Sequence, residues 1–370
     1  MPILRLPPIF DKLSPESHVL VVGKTGVGKS VLIRGMLGRD LVTGRAAVVL
    51  DPHGDLATDV VLDVPKFRKN DLVLLDPTDP MCRGVNPFRG VTPDARNLAV
   101  ANVLAAIRKL FPDNAWGART EHLLRHALLG AAELRGGTIG DAAKILTDDA
   151  HRHWMLRRVC DPQVIDFFTK EVPSWGKSFS SEAIAAPANK LGAILASPLV
   201  RSVLTKSRPR LDLTKLLARN GFLVASFAKG KIGEDAARFL GGLLLGMVQS
   251  AVFARVDMPR EARKPVRIVV DELTSFPANV LLELLGEGRK FGAGLVLGTQ
   301  SLSALTPDVR AGLLANVGVL VVFRVGGEDA QLLRAELGDE LGVPTLTSLD
   351  QGSAVVRVGG KRPIVIDTWN

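Results

Sequence analysis

A glycine-rich segment near the start of the chain carries residues that could bind phosphate. Residues 23–30 read GKTGVGKS, which matches the pattern GxxxxGK[ST] in full. The segment follows an apolar run and precedes a helical pattern, which is the context that a phosphate-binding loop requires. Lys29 would reach the β and γ phosphates, and the Ser30 hydroxyl would ligate Mg²⁺. The predicted nucleotide contacts are Gly23, Thr25, Gly26, Val27, Gly28, Lys29, Ser30 and Val31.

Two acids follow another apolar run, in the stretch VRIVVDEL. Asp271 is predicted to hold Mg²⁺, directly or through water, and Glu272 is placed where a base would polarise the attacking water. An Asp-Glu pair of this kind favours an enzyme that hydrolyses nucleotide over a protein that acts as a nucleotide-dependent switch. A solvated pair at a strand end remains the alternative.

Gln300 and two arginines, Arg289 and Arg324, complete the set of candidate catalytic residues. Gln300 ends the run GLVLGTQ, where an amide could sense the γ-phosphate or be an ordinary polar strand end. Arg289 and Lys290 lie at the end of a helical pattern, where a cation complements the helix C-terminus. Alternatively, Arg289 could enter a neighbouring subunit's nucleotide site and stabilise charge on the transferred phosphoryl group. Arg324 is a second candidate for that role.

The base is predicted to be adenine. The guanine-reading pattern [NT]KxD has no match in the right place, because the segment NKLG at 189–192 lacks the aspartate and lies in a helical region. We therefore expect ATP rather than GTP.

Short apolar runs, separated mostly by helical patterns, predict a doubly wound α/β fold with a mostly parallel sheet. The runs lie at residues 18–22, 46–50, 72–75, 222–227, 267–270, 294–299 and 317–323. Between residues 91 and 220 they vanish, and the sequence predicts helices broken at Pro112, Gly136–Gly137, Pro162, Pro173 and Pro187. The predicted domains are residues 1–92 and 221–370, which form the nucleotide-binding domain, and an all-helical insertion at 93–220. The tail predicts a hairpin that turns at Gly359–Gly360.

Composition narrows the class of protein and its partners. The chain has 370 residues, a net charge of +9 and a pI near 9.8, which favours a polyanionic partner such as nucleic acid or an anionic membrane face. Two distant cysteines, Cys82 and Cys160, indicate neither a disulfide framework nor a zinc ribbon. The longest apolar run, Phe239–Ala254, is predicted to be a buried helix. Since the first residues do not form a signal peptide, we expect a cytoplasmic protein.

The order of these motifs resembles that of the HerA/FtsK superfamily of pumping ATPases, and within it the TraG/TraD-like coupling ATPases of type IV secretion. The resemblance extends from about Leu20 to Leu333 and includes the stretches VLDPHGDL, FAKGKIGEDAARFLGGLL and LLGEGRKFGAGLVLGTQSLSAL. It implies a RecA-like P-loop domain in a homo-hexameric ring that drives DNA through a channel. It also implies that Arg289 acts in trans and that Asp51 and His53 lie close to the phosphates.

The same resemblance implies secretion-channel, relaxase or nuclease partners, with any location at the inner membrane arising through them. Membrane-bound coupling proteins carry N-terminal spanning helices, which are not expected in this sequence. Two other functions stay open: an ATP-dependent docking receptor for a secretion substrate, and a viral genome-packaging ATPase.

Two further signals are weighed for ligand binding. His122 and His126 are spaced i, i+4, but the glutamate precedes them and no third ligand is apparent, so a surface or packed pair is expected rather than zinc. The basic run Arg201–Arg219 has six lysines and arginines against one acid, and it suits either phosphate contacts or a solvated face. With no tyrosine and 5% aromatic residues, backbone contacts should dominate any DNA binding.

Overall fold

The computed structural model describes residues 6–205, 211–338 and 341–368. Within them, nine strands form one sheet in the order β3-β4-β2-β5-β6-β1-β7-β8-β9. Strands β1 to β7 pair in parallel, and β8 and β9 add antiparallel to the β7 edge. The strands are β1 (Val19–Val22), β2 (Ala46–Asp51), β3 (Leu72–Leu75), β4 (Phe222–Ser226), β5 (Val266–Val270), β6 (Ala293–Thr299), β7 (Val319–Val322), β8 (Ser353–Val358) and β9 (Ile364–Asp367).

Helices connect the parallel strands and fill the long segment between β3 and β4. They are α1 (Pro8–Asp11), α2 (Lys29–Val42), α3 (Asp55–Asp63), α4 (Arg96–Arg108), α5 (Ala118–Glu133), α6 (Ile139–Thr147), α7 (Asp149–Leu156), α8 (Pro162–Asp166), α9 (Val172–Ser174), α10 (Lys177–Ala196), α11 (Pro198–Thr205), α12 (Leu213–Ala218), α13 (Lys229–Ile232), α14 (Glu234–Phe253), α15 (Ala278–Glu287), α16 (Pro307–Asn316), α17 (Gly327–Leu337) and α18 (Val343–Ser348). A π-helical turn, Phe167–Glu171, joins α8 to α9.

The seven predicted apolar runs all became strands of this sheet, and the predicted α/β class is confirmed. Strands β1, β2, β4, β5, β6 and β7 are buried at every residue, as expected for parallel strands covered on both faces. The predicted terminal hairpin is also present as β8 and β9. Its outer strand, β9, is mostly exposed.

The chain divides into two compact units. The sheet unit comprises the chain up to Leu75, Thr214–Ala228 and the chain from Arg255 onward, and the helical unit comprises Asp76–Leu213 and Lys229–Ala254. The helical unit thus begins earlier than the predicted boundary at 93, leaves α12 to the sheet unit and takes in α14. The reason is that α14 packs against α4: Asn102 Nδ2 donates to the Gly246 carbonyl at 2.9 Å, and a Cβ at Gly246 would lie 2.6 Å from the Asn102 Cβ.

Two apolar helices of the helical unit bear on the sequence interpretation. Among the described residues, α14 alone is long and apolar enough by itself to cross a membrane, and 78% of its apolar window is buried inside the protein. Residues Phe179–Ala196 of α10 meet the length and hydropathy criteria for a membrane span only together with α11, from which they are bent by 95°. Pro187 lies inside α10 and does not break it, contrary to the prediction. An interior proline costs roughly 3 kcal/mol, which the packing of α10 on α5 and α6 must offset.

A buried histidine lies at the amino end of β1 and contacts both neighbouring strands. His18 is fully buried, its Nδ1 accepts from the Leu295 N–H at 3.1 Å, and its carbonyl accepts from the N–H groups of Gly318 and Val319. Burial, assisted by the charge of Arg289, lowers the pKa of His18 to about 4. The neutral imidazole therefore joins the start of β1 to β6, and the His18 carbonyl joins it to the start of β7.

Candidate nucleotide-binding site

The glycine-rich loop connects β1 to α2 with the geometry that its sequence predicts. Gly26 and Gly28 have φ values of 78° and 119°, which side chains rarely adopt. At Gly23, a Cβ would lie 2.7 Å from the Phe323 Cβ, so the glycine permits close approach to the end of β7. The Gly23 N–H donates to the Thr299 carbonyl and the Lys24 N–H to the Arg324 carbonyl. Both flanking strands therefore hold the loop at the N-terminus of α2.

A cleft of about 500 Å³ lies in front of this loop. It joins the ends of β1, β5 and β6, because the carboxyl ends of neighbouring parallel strands meet at one edge of the sheet. The lining residues are Thr25, Gly26, Gly28, Lys29, Ser30, Val31, His53, Asp55, Leu56, Asp271, Glu272, Gln300 and Gln351. Of the predicted contacts, Gly23 and Val27 shape the loop without lining the cleft. Arg289 and Arg324 are also absent from the lining.

Lys29 is already held inside the loop. Its Nζ donates to the carbonyls of Gly23 at 2.5 Å and Lys24 at 2.8 Å. Burial lowers the pKa of Lys29, while the charges of Asp271 and Glu272 act to raise it. On nucleotide binding, phosphate oxygens would replace these two carbonyls as acceptors.

The acids opposite the loop form a cluster of like charge, in which Asp51 is buried and Asp271 and Glu272 are half-buried. Burial and then the charge of Asp51 raise the pKa of Asp271 to about 6, and Glu272 contributes in the same direction. A divalent cation would relieve this repulsion, and hydroxyl and carboxylate oxygens are the ligands that Mg²⁺ prefers. Ser30 and Asp271 therefore fit the predicted metal. Within the described ranges, no group of three or more His, Cys, Asp or Glu side chains could hold a metal ion, so phosphate oxygens and water would have to complete its coordination shell.

Glu272 has a strained backbone. Its φ of 53° and ψ of 73° lie in the left-handed region, which Asn220 alone shares among the described residues other than glycine. The carboxylate Oε1 accepts from the Thr274 hydroxyl at 2.7 Å and from the Thr299 hydroxyl at 3.4 Å. Strain of this kind costs on the order of 1–3 kcal/mol and clusters at active sites.

Gln300 contacts the phosphate-binding loop directly, since its Oε1 accepts from the Thr25 hydroxyl at 3.0 Å. The turn after it is held by Asp329, a buried residue of α17 that accepts from the N–H groups of Leu302 at 3.1 Å and Ser303 at 2.8 Å. Sequence reasoning missed Asp329, because an acid in the first turn of a helix has no local mark of a distant contact.

Asp51 and His53 follow β2 at the same edge. Asp51 is fully buried, and its two carboxylate oxygens accept from the N–H groups of His53 and Ala57, each at 2.8 Å. Asp51 thus caps the start of α3 and positions the turn, whereas His53 and the unpredicted Asp55 line the cleft.

Gln351 was also missed, although it lines the cleft. It lies just before β8, and its Nε2 donates to the Gly26 carbonyl at 2.9 Å. The next N–H, of Gly352, donates to the Val27 carbonyl at 3.0 Å. The sequence carries no signal for these contacts, because more than 300 residues separate the partners.

The two candidate arginines lie at opposite edges of the sheet. Arg324 follows β7, half-buried beside the loop, with its Nη1 3.5 Å from the Leu349 carbonyl. Arg289 is exposed before β6 and donates to the Asn316 carbonyl at the end of α16, so it complements the C-terminus of a neighbouring helix. The seven residues of β6 separate it from Gln300, a span of about 23 Å.

The remaining sequence signals are not among the residues that line the cleft. The His122 Nε2 is 3.2 Å from a Glu171 carboxylate oxygen, and the His126 ring stacks on Phe167, which agrees with a packed pair. In the basic run Arg201–Arg219, residues 206–210 lie outside the described residues.

Comparisons with known proteins agree with this geometry. Residues 6–169 match the family model of the type IV secretion-system coupling protein DNA-binding domain. No curated protein matches the chain in sequence.

Three solved structures share the fold. Plasmid coupling protein TrwB in complex with ADP and Mg²⁺ has a TM-score of 0.73 and 20% identity, covering 96% of this chain and 85% of that chain. TrwB with the non-hydrolysable GTP analogue GDPNP has a TM-score of 0.73 and 21% identity, covering 98% of this chain and 87% of that chain. VirB4 of Thermoanaerobacter pseudethanolicus has a TM-score of 0.63 and 15% identity, covering 97% of this chain and 91% of that chain.

At these identities the structural likeness shows the fold, and the family match covers the first part of the chain. Together with the P-loop and the acids of the cleft, they show a P-loop nucleotide-binding fold similar to that of plasmid coupling protein TrwB and of VirB4, and a first part that matches the coupling-protein family model.

Proposed function

We propose that the chain hydrolyses ATP with Mg²⁺ and uses the energy to move DNA. The observation that carries the proposal is the convergence of Lys29, Ser30, Asp271, Glu272 and Gln300 on one cleft. TrwB, whose fold this chain shares, binds ADP and Mg²⁺.

Each residue has a separate task in this mechanism. Lys29 turns from the loop carbonyls to the phosphates and neutralises their charge. Ser30 and Asp271 would hold Mg²⁺, and the ion would supply positive charge that stabilises the phosphate oxygens. Glu272, fixed by the hydroxyls of Thr274 and Thr299, accepts a proton from the attacking water while Gln300 orients it.

A ring of subunits, six by the resemblance, would complete the site. In a head-to-tail ring, a residue that serves the neighbour's nucleotide must lie away from its own cleft. Arg289 meets this requirement because it is exposed at the amino edge of the sheet. Arg324 lies beside its own loop, which suits a role within one subunit. We therefore favour Arg289 as the trans arginine.

DNA is the proposed cargo. The family model that matches residues 6–169 is described as a DNA-binding domain, and the net charge of +9 suits a polyanion. By the same likeness, the protein would work on the cytoplasmic side of a membrane, next to secretion-channel, relaxase or nuclease partners.

The test is ATP turnover with and without duplex DNA, on a sample whose native mass has been measured. We expect Mg²⁺-dependent turnover that DNA stimulates, and its loss in Glu272→Gln with ATP binding retained. Turnover that ignores DNA but responds to a protein substrate would indicate a docking receptor. Unchanged turnover in Glu272→Gln would remove Glu272 from the mechanism.

A further inference from the structure

We propose that Gln351 binds the nucleoside half of the nucleotide and favours adenine over guanine. This inference rests on the proposed nucleotide site and adds a residue that determines its specificity. It starts from the strand order: β5 and β6 lie on one side of β1, and β7 and β8 lie on the other.

The strand order fixes the direction in which a nucleotide lies. Glu272 and Gln300, which act on the γ-phosphate, follow β5 and β6. The phosphate chain is bound across the loop that follows β1, so the nucleoside extends toward the side of β7 and β8. Gln351 precedes β8, a strand on that side of β1, and it lines the same cleft.

The hydrogen bonds of Gln351 define what its free atom can recognise. A backbone carbonyl only accepts hydrogen bonds, so the bond to the Gly26 carbonyl requires the amide nitrogen there and orients the side chain. The carbonyl oxygen Oε1 then has no hydrogen bond from the chain as far as the structure describes it. An acceptor in this position suits the 6-amino group of adenine and opposes the 6-carbonyl of guanine.

The C-terminal hairpin holds Gln351 in place. The next residue, Gly352, has a φ of 87° and donates its N–H to the Val27 carbonyl. Its carbonyl accepts from both the N–H and the hydroxyl of Thr368, the residue that follows β9. Because the turn is tied to both the loop and the hairpin, the side chain is positioned before nucleotide binds. A positioned side chain loses less conformational entropy on binding and can therefore discriminate between bases.

The experiment measures binding without hydrolysis. The dissociation constants of AMP-PNP, GMP-PNP and inorganic tripolyphosphate are determined by calorimetry for the wild type, Gln351→Met and Gln351→Ala. Methionine keeps the length of the side chain and removes the amide, so it serves if the alanine variant folds poorly. Gln163→Met, in the helical unit and outside the cleft lining, is the matched control.

We expect Gln351→Met to weaken AMP-PNP binding by about two- to tenfold, the range for one hydrogen bond. The affinity for GMP-PNP should fall less, and the affinity for tripolyphosphate should be unchanged. An equal loss for all three ligands would show that Gln351 only braces the loop and would overturn the proposal, as would an equal loss for the two nucleotides. Since none of these measurements needs turnover, absence of ATPase activity would overturn the proposed function and leave this result standing.

Discussion

The strained backbone of Glu272 allows stability and catalysis to be separated at one residue. A residue with a Cβ in the left-handed region costs about 1–2 kcal/mol, and glycine costs nothing there. Elsewhere glycine is about 0.5–1 kcal/mol worse than alanine because it has more freedom in the unfolded chain. At a φ of 53°, Glu272→Gly should therefore be more stable than Glu272→Ala by roughly 0.5–1 kcal/mol. The alanine and glycine variants both lack the carboxylate and its bonds to Thr274 and Thr299, so their difference reports the backbone alone.

Thermal unfolding without nucleotide measures this difference, and the midpoint of the glycine variant should be about 1 °C higher than that of the alanine variant. In a parallel ATPase assay, both variants should lose about 10²- to 10⁴-fold in turnover, since the proton acceptor is gone. Asn220 provides the matched control, because it has a φ of 59° and lies outside the cleft lining. Asn220→Gly should likewise exceed Asn220→Ala in stability, and both should retain turnover.

Two results would refute this reasoning. If Glu272→Ala were as stable as Glu272→Gly while the Asn220 pair differed, the backbone at Glu272 would not be strained in solution. If either Glu272 variant hydrolysed ATP at the wild-type rate, the carboxylate would not be the base.

Three other predictions address the ring, the cargo and the fold. Arg289→Ala should assemble and bind ATP but hydrolyse it on the order of 10³-fold more slowly, and mixing it with inactive Lys29→Ala should restore some activity through mixed interfaces. Normal hydrolysis by Arg289→Ala would move the trans role to Arg324. Normal hydrolysis by both the Arg289 and the Arg324 alanine variants would exclude the ring mechanism. Duplex DNA binding, measured by fluorescence anisotropy, should weaken as the salt concentration rises. Log K should fall against log salt concentration with a slope of about −0.9 for each neutralised phosphate, and a flat response would count against a DNA motor. Because burial lowers the pKa of His18 from 6.5 to about 4, its neutral form should stabilise the fold above pH 6.5, and this contribution of up to about 3 kcal/mol should be lost as the pH falls toward 4. Urea unfolding between pH 7 and 4 should accordingly depend less on pH in His18→Gln, and an unaltered dependence would assign the acid sensitivity to other groups.

Much of the nucleotide site could be predicted from the sequence because its signals are local. A phosphate-binding loop needs glycines where φ is positive, and Gly26 and Gly28, which are two residues apart, are visible within eight consecutive residues. Parallel strands buried on both faces are continuous apolar runs, so the seven runs predicted the central sheet and placed the acids after β5. The side chains that follow such strands meet at one edge, which is why Asp271 and Gln300 were predicted to lie near Lys29.

The tertiary structure alone decided which distant side chains support that site. Gln351 contacts Gly26 across more than 300 residues, and Asp329 holds the turn after Gln300 from the helix that follows β7. The separation of Arg289 from Gln300 by the length of β6 likewise became clear only in the folded chain. Local periodicity reports which face of an element is buried, whereas these contacts depend on the strand order. Strand order is set by the packing of the whole sheet, and no short segment of the sequence encodes it.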